Sequence, residues 1–441
     1  MKKILFILIT VVAFNLNAQH TISGTFSPAK DYTWLIAYQL KSGSQVYAAD
    51  TAIKNGKFTL SLPDDALPGT YRLVYAVPQE EYNFDIIYNG KEDIVLNFST
   101  ENGVAFTSSK ENILLNTYLS ELSGIEQEII EFYNSNNKNK DSFSKTIDNL
   151  NELQKSYEMK SKGLIAYNFI AANKPYIPQK FETVQEYILH KKENYFKAID
   201  FKNTELENSN FLIDKVANYV FTALPLASIS KEETEKEIIK NTDIVNSFIS
   251  NLNPDFKFQL YHNLWDYAVA YDYNDVSDYI YTTYLKDLAS ETNNEEVKNT
   301  IEAHNRLRLG ATAPEIVWKK GNELHKLTEL TGADKYILIF WSSTCSHCLN
   351  ELPPLNKELK EKAYIKVLAV GLEDDTKNWE IACSKLDGFE HAISLGKWDS
   401  EYAHLYDIHS TPTYFILDKE KHIVAKPEND KAVVEYLEKN L

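Results

Sequence analysis

Short runs of alternating apolar and polar residues follow one another from residue 20 onward. Five such runs lie at residues 33–40, 57–62, 70–77, 84–88 and 94–98, and dipeptides such as Asn55-Gly56 and Asn102-Gly103 separate them. Alternation is typical of strands with one buried face, and Asn-Gly between two runs is a hairpin signal. These patterns predict a small antiparallel β-sandwich or barrel over residues 20–107, of which we favour the sandwich.

The pattern changes to helical periodicity over residues 108–305. Tyr261, Leu264, Trp265 and Ala268 are spaced i, i+3, i+4 and i+7, as on a helix with one buried stripe. We therefore predict an α-helical region here. Its aromatic-rich run at residues 256–284 is better explained by packing than by a peptide-binding groove.

From residue 306 strands and helices alternate, which predicts an α/β domain over residues 306–441. Residues 336–341 form a continuous apolar run, as in a strand buried on both faces. Ser342-Ser343-Thr344 then offers a helix N-cap, and a helix is expected to follow. Cys345 would lie at its first turn, with Cys348 one turn later on the same face.

Composition agrees with a folded chain of several domains. Of 441 residues, 44% are hydrophobic and 25% are charged, with only 14 Gly and 13 Pro, which excludes a disordered or collagen-like chain. The net charge is −17, and no basic stripe stands out, so we expect no nucleic-acid partner. Residues 108–305 hold 20 basic and 31 acidic residues, a net charge of −11; we favour a solvated acidic face over a docking surface for a basic partner.

The first 19 residues have the order of a secretory signal peptide. Lys2 and Lys3 precede an apolar run at residues 4–14, and small residues lead to Ala18. The run is too short to span a hydrocarbon core of ~30 Å, although a short uncleaved anchor is an alternative. We predict cleavage near Ala18 and Gln19 and a soluble mature chain in the periplasm or another exported location.

The three cysteines divide into a pair and a single residue. Cys345 and Cys348 are three positions apart, the spacing at which one thiolate attacks a disulfide and the second thiol resolves the intermediate. A helix N-terminus favours the Cys345 thiolate, and His347 adds a polar, potentially cationic neighbour. Cys383 is expected to be a buried, inert thiol. A zinc site on Cys345, Cys348 and two histidines is the weaker alternative, because no second Cys pair exists; we expect no metal and no cofactor.

Residues 340–353 and 410–418 carry a family resemblance. The run from Phe340 to Pro353 resembles the active-site strand and helix of the thioredoxin superfamily, and Glu351-Leu352-Pro353 resembles its exported TlpA/ResA branch. The run that contains Pro412 is similar to the family's cis-proline loop. The resemblance implies a redox disulfide between Cys345 and Cys348 and substrate binding beside Thr411 and Pro412.

The segment from residue 50 to residue 60 also resembles, more loosely, an accessory β-domain that precedes exported thioredoxin-like proteins in some Gram-negative bacteria. That likeness names no active residue.

In the redox module, Thr344 stands where the family usually has an aromatic residue, and Ile339 stands where thioredoxins carry a buried acid. Glu373, after the strand at residues 365–370, is our candidate for a carboxylate near the cysteines, with Asp374 as the alternative.

Two functions of different class follow from these features. We favour an exported thiol-disulfide oxidoreductase that reduces disulfides in protein clients, with electrons from a membrane donor protein. The alternatives are a client-binding or chaperone-like protein that uses the redox module for docking, and a disulfide oxidase or isomerase. Homodimerisation is left open.

Overall fold

A computed structural model describes residues 20–440, so the predicted signal peptide at residues 1–19 lies outside the described residues. The chain forms two compact units, the first ending at Thr292 and the second beginning at Asn293. Within residues 20–440, none of the helices combines the length and apolar character needed to cross a bilayer.

The N-terminal unit begins with two four-stranded sheets. Their strand orders are β4-β1-β7-β8 and β3-β2-β5-β6. One buried apolar cluster includes Ile22 and Leu96 from the first sheet and Leu35 and Tyr71 from the second. All five strands predicted here are present, together with three more; the eight are β1 (Thr21–Ser27), β2 (Trp34–Lys41), β3 (Ser44–Ala52), β4 (Lys57–Ser61), β5 (Gly69–Val74), β6 (Asn83–Tyr88), β7 (Ile94–Ser99) and β8 (Gly103–Ser108).

The pairing of β1 with β7 differs from the antiparallel prediction, because these two strands run parallel. The chain visits the other sheet between them, which provides the long connection that a parallel pair requires. Gly24 permits the close approach, since a Cβ atom there would lie 1.9 Å from the carbonyl oxygen of Leu96. Of the turn signals, Asn102-Gly103 joins the paired strands β7 and β8, whereas Asn55-Gly56 connects strands of different sheets.

Helices make up the rest of the N-terminal unit. The predicted stripe Tyr261, Leu264, Trp265 and Ala268 is buried on one helix, as expected. A five-residue π-helical segment, Tyr281–Leu285, precedes the last helix of this unit. The α-helices between residues 20 and 292 are α1 (Lys110–Asn134), α2 (Lys140–Ser161), α3 (Ala166–Ala172), α4 (Val184–Glu193), α5 (Thr204–Glu207), α6 (Phe211–Thr222), α7 (Lys231–Ile249), α8 (Pro254–Ala270), α9 (Asn274–Ile280) and α10 (Lys286–Glu291).

The C-terminal unit is an α/β domain. Its five-stranded sheet has the order β13-β12-β11-β14-β15. The first three strands are parallel, β14 runs antiparallel to β11, and the edge strand β15 runs antiparallel to β14. A separate hairpin pairs β9 with β10. The elements are α11 (Glu295–Leu307), β9 (Val317–Lys320), β10 (Glu323–Lys326), β11 (Lys335–Trp341), α12 (Ser346–Leu359), β12 (Ile365–Glu373), α13 (Lys377–Cys383), β13 (Glu390–Leu395), α14 (Glu401–Leu405), β14 (Thr413–Leu417), β15 (Ile423–Ala425) and α15 (Asp430–Lys439).

Strand β11 is buried on both faces, as its continuous apolar sequence predicted. Leu338 and Phe340 belong to one apolar cluster, and Ile339 and Trp341 belong to the other. Successive side chains of a strand point to opposite faces of the sheet, so this one strand supplies two cores. Helix α12 follows β11 after four residues, and Cys348 is buried in the same cluster as Trp341.

Candidate active site

The cysteine pair lies at the N-terminus of α12. Cys345 is the N-cap of α12, and its Sγ accepts a hydrogen bond from the backbone N–H of Cys348 at 3.3 Å. The prediction that Ser342-Ser343-Thr344 would supply the cap is therefore wrong. The two serine side chains are engaged elsewhere, by a carboxylate on β12.

The surroundings of Cys345 favour its thiolate. Partial burial opposes the charged form, but hydrogen bonds from Cys348 and Thr411 and from the backbone N–H groups of Cys348 and His347 outweigh it. Together they lower the pKa of the Cys345 thiol. Donors at a helix N-terminus stabilise a negative sulfur. Cys345 is also partly exposed, so its sulfur is accessible to a substrate.

Cys348 lies in the opposite environment. Its side chain is fully buried, and burial, followed by the hydrogen bond to Cys345, raises the pKa of its thiol to about 12. Both cysteines are free thiols in this structure. The pair therefore consists of one reachable sulfur that ionises readily and one buried sulfur that keeps its proton.

The loop before β14 lies opposite the cysteines. The peptide bond between Thr411 and Pro412 is cis. The carbonyl oxygen of Thr411 is 3.3 Å from the Sγ atom of Cys345 and can accept a hydrogen bond from the thiol. Of the predicted site residues, Cys345, Cys348, Thr411 and Pro412 are thus brought together at one edge of the sheet.

Glu373, at the end of β12, contacts the segment that leads into Cys345. Its side chain is only 3% exposed. The carboxylate accepts hydrogen bonds from the backbone N–H of Ser343, from Ser343 Oγ at 3.0 Å and from Ser342 Oγ at 3.4 Å. Asp374, the alternative candidate, is exposed and pairs with Lys397 at 2.7 Å. The hydrogen bonds of Glu373 thus go to Ser342 and Ser343, which makes it a positioning residue for the loop before Cys345.

His347 occupies an exposed position in the first turn of α12. Its backbone N–H is among the groups that lower the pKa of Cys345. The contribution of residue 347 to the pKa of Cys345 thus comes from its backbone amide and not from the imidazole that the sequence suggests. Any residue with a backbone N–H can provide such a donor.

A second carboxylate near the pair was not given a role from sequence. Glu351, three residues after Cys348 on α12, accepts a hydrogen bond from the Tyr414 hydroxyl at 3.1 Å. Burial, then the charge of Glu351, raises the pKa of Tyr414 well above its usual range. The spacing from Cys348 to Glu351 places both on one helix face, a signal that could have identified this contact.

Cys383 has the character expected of an inert thiol. It is partly buried on α13, and burial, followed by the charge of Glu373, raises its pKa to about 12. In the part of the chain that the structure describes, no group of three or more His, Cys, Asp or Glu side chains is arranged to hold a metal ion. The zinc alternative therefore finds no such cluster among these residues.

This geometry can perform dithiol-disulfide exchange. A thiolate at Cys345 can attack a disulfide bond, and Cys348 lies one helical turn away, within reach of the mixed disulfide that results. The fixed loop beside Thr411 leaves a backbone carbonyl facing the reacting sulfur.

One family model matches a segment of the C-terminal unit. Residues 332–423 match a family model described as thioredoxin-like. A search of curated proteins gave no significant match. Among solved structures, a domain of a possible thiol-disulfide isomerase from Cytophaga hutchinsonii is 29% identical, with 30% of this chain and 92% of that chain covered and a TM-score of 0.27.

Two further solved structures come from Bacteroides species. A thiol-disulfide oxidoreductase from Bacteroides fragilis is 25% identical, with 30% of this chain and 99% of that chain covered and a TM-score of 0.27. A thioredoxin-like protein from Bacteroides caccae is 18% identical, with 60% of this chain and 98% of that chain covered and a TM-score of 0.35. The family match, together with the five-stranded sheet, identifies a thioredoxin-like α/β domain in the C-terminal unit.

Proposed function

We propose that this protein is a thiol-disulfide oxidoreductase that reduces disulfide bonds in protein clients, with Cys345 as the attacking residue and Cys348 as the resolving residue. The observation that carries the proposal is the difference between the two thiols. Cys345 is accessible and has a lowered pKa, whereas Cys348 is buried and its pKa is raised to about 12.

In the first step the Cys345 thiolate attacks one sulfur of the client disulfide. A bond forms between Cys345 Sγ and that sulfur, the client S–S bond breaks, and the second client sulfur leaves as a thiolate. The carbonyl oxygen of Thr411 lies 3.3 Å from Cys345 Sγ, so the attacked segment would lie along this loop. An extended client strand can hydrogen-bond to such a backbone edge.

In the second step Cys348 resolves the mixed disulfide. Its proton passes to the departing client thiolate, and its sulfur attacks Cys345 Sγ. The bond between Cys345 Sγ and the client sulfur breaks, and a Cys345–Cys348 disulfide forms. The client is released with one thiol and one thiolate, and the thiolate takes its proton from water. The high pKa of Cys348 delays this step until a basic client thiolate is present, which gives the two cysteines a fixed order of action.

The Cys345–Cys348 disulfide must then be reduced by two electrons from a donor protein. We propose a membrane protein as this donor, because the N-terminal sequence of residues 1–19 has the order of a signal for export. Fractionation of cells and N-terminal sequencing of the mature chain test this point. Recovery of the intact chain from the cytoplasm would contradict it.

The N-terminal β-sheets and helices are proposed to select clients and not to build the redox centre. In keeping with this proposal, every site residue named above lies in the C-terminal unit. We further propose that the two sheets form a sandwich-like accessory domain, since one apolar cluster draws on both.

An insulin reduction assay with a small-thiol donor tests the activity. Cys345→Ser should abolish turnover, whereas Cys383→Ser, a matched change at the third cysteine of the same domain, should leave it unchanged. If Cys345→Ser retained the wild-type rate, the proposed nucleophile would be wrong.

Trapping experiments test the order of the two cysteines. Cys348→Ser should accumulate mixed disulfides between Cys345 and clients, because the resolving thiol is lost while the attacking thiol remains. Mass spectrometry identifies the bridged cysteine. Equal accumulation in the double variant Cys345→Ser/Cys348→Ser would assign the adducts to Cys383 instead.

The reduction potential distinguishes a reductase from an oxidase. The reduction potential of thioredoxin is about −270 mV, and that of a strong disulfide oxidant is about −120 mV. A difference of about 30 mV corresponds to a tenfold change in the equilibrium constant. We expect a value below about −200 mV for the Cys345–Cys348 pair. A value above about −150 mV would contradict the reductase and favour the oxidase. The lowered pKa of Cys345 acts in that direction, because it stabilises the reduced form, so the measurement decides between the two.

A further inference from the structure

A cavity in the helical part of the N-terminal unit is rich in lysines. It has a volume of about 260 Å³ and lies among residues of α1, α4 and α6 and of the segment after α3. Lys174, Lys191 and Lys215 line it, and Glu126 is its one acidic residue. We call it the lysine cavity.

Charges in the lysine cavity do not cancel. Lys191 Nζ pairs with Glu126 at 2.8 Å, which neutralises these two residues. Lys174 and Lys215 then remain as two positive charges. The surplus stands out because residues 108–305 carry a net charge of −11.

Lys215 is the most informative of these lysines. Its Nζ lies 5.8 Å from the ring centroid of Tyr195 and 5.6 Å from that of Phe211. No carboxylate within residues 20–440 forms an ion pair with it. Burial lowers the pKa of its amine; the charge of Glu126 opposes this by a smaller amount, and the charge of Lys191 lowers the pKa further. A desolvated ammonium without an anionic partner is unfavourable unless a ligand supplies the missing charge.

A second cavity that is also lined by lysines lies next to the lysine cavity. It has a volume of about 570 Å³, shares Lys174, Tyr176 and Asn194 with the lysine cavity, and adds Lys197. Its lining includes no Asp or Glu. The two spaces together fall in the size range of small-molecule sites.

We propose that the lysine cavity binds a small organic anion that carries two or more carboxylate or phosphate groups. One anionic group would pair with Lys215 and another with Lys174, and the ring of Tyr195 would cover the carbon skeleton. Every residue that lines the lysine cavity belongs to the N-terminal unit, whereas both active-site cysteines belong to the C-terminal unit.

Calorimetric titration of the full-length mature protein tests the proposal. Citrate, succinate and inorganic pyrophosphate are the probes, succinamide is the neutral control, and sodium chloride holds ionic strength constant. We expect at least one charged probe to bind with a stoichiometry of one, and succinamide not to bind. A preference for citrate or for pyrophosphate distinguishes a carboxylate ligand from a phosphate ligand.

Lysine-to-methionine variants locate the site, because they keep side-chain length and remove the charge. Lys215→Met should weaken binding at least tenfold, and Lys174→Met should weaken it severalfold. Lys138→Met, at an exposed lysine outside the cavity lining, is the matched control and should bind as wild type.

Thermal unfolding without ligand provides a second readout that does not depend on the choice of probe. Lys215→Met should unfold at the same or a higher temperature than wild type, because the variant no longer buries an unpaired charge. A clear loss of stability would show that Lys215 is a structural residue, and would overturn the proposal. So would wild-type affinity in Lys215→Met, or the absence of binding by all three charged probes.

Discussion

Replacing Glu373 by Gln tests how the loop before Cys345 is held. The carboxylate is almost fully buried and accepts three hydrogen bonds, from the Ser343 backbone N–H and from the hydroxyl groups of Ser342 and Ser343. Glutamine keeps one oxygen as an acceptor, but its NH₂ group cannot accept. At least one of the three bonds must therefore be lost or rebuilt in another geometry.

The size of the effect follows from the strength of these bonds. A hydrogen bond to a charged group contributes about 1.5–3 kcal/mol, and a neutral one about 1 kcal/mol. Losing one charged bond and weakening the others should lower the free energy of unfolding of the C-terminal unit by about 2 kcal/mol. With a urea m-value of about 1–3 kcal/mol/M, the midpoint should fall by about 1 M.

Urea titration followed by tryptophan fluorescence measures this shift, and Asp374→Asn is the matched control. Asp374 is the adjacent carboxylate but lies at the surface, where solvent screens its pair with Lys397, so the loss of this pair should have little effect on stability. If Glu373→Gln destabilised the unit no more than Asp374→Asn, the carboxylate would not be holding the loop.

The pH dependence of cysteine alkylation provides a readout that simple destabilisation would not give, because destabilisation alone leaves the thiol pKa unchanged. The charge of Glu373 is the second cause of the raised pKa of Cys383, after burial. Glu373→Gln should therefore lower the pKa of Cys383 and speed its alkylation near pH 9. The main interactions that set the pKa of Cys345 come from other residues, so its pKa should change little.

Three further predictions concern other parts of the chain. His347→Pro should raise the pKa of Cys345, because proline removes the backbone donor, whereas His347→Ala should leave it nearly unchanged; the pH dependence of iodoacetamide alkylation measures both. Desolvation raises the pKa of Asp214 to about 6, so the folded state should lose stability as the pH rises from about 4 to 6. Thermal unfolding scans of Asp214→Asn should show a smaller loss of stability over this pH range. A fragment of residues 293–441 should fold and reduce insulin, and one starting at residue 306 should melt at a lower temperature, because it lacks most of α11; equal melting temperatures would contradict this.

Features that depend on neighbouring residues in sequence were predictable. The apolar run of β11 and the helix with Cys345 at its first turn are examples. Strand β3 was missed because most of its residues are exposed and show no apolar alternation. Strand β1 was missed because Gly24 interrupts its apolar alternation. The position requires glycine because the carbonyl group of Leu96, 72 residues away in sequence, leaves no space for a Cβ atom.

The N-terminal boundary of the redox domain also depends on contacts with residues that are distant in sequence. The sequence suggested a start at residue 306, where strand and helix begin to alternate. The compact unit begins at Asn293, and α11 runs across the suggested start. Leu307 belongs to a core cluster of this unit, and Arg306 donates a hydrogen bond from Nε to the carbonyl oxygen of Leu405 at 2.8 Å. An amphipathic helix gives no local sign of the domain against which it packs.

The choice between Glu373 and Asp374 follows from strand register and not from local sequence. Strands β11 and β12 are parallel, with Trp341 opposite Gly371, so Glu373 comes level with Ser343 where both strands end. Side chains alternate along a strand, and residues 367 and 369 of β12 face the same cluster as Trp341 and Cys348. Glu373 has the same parity and therefore points toward the side of the sheet that carries the cysteine helix, while Asp374 points away. Once the pairing of two adjacent strands is known, the residue that holds the loop before the nucleophile can be derived by counting.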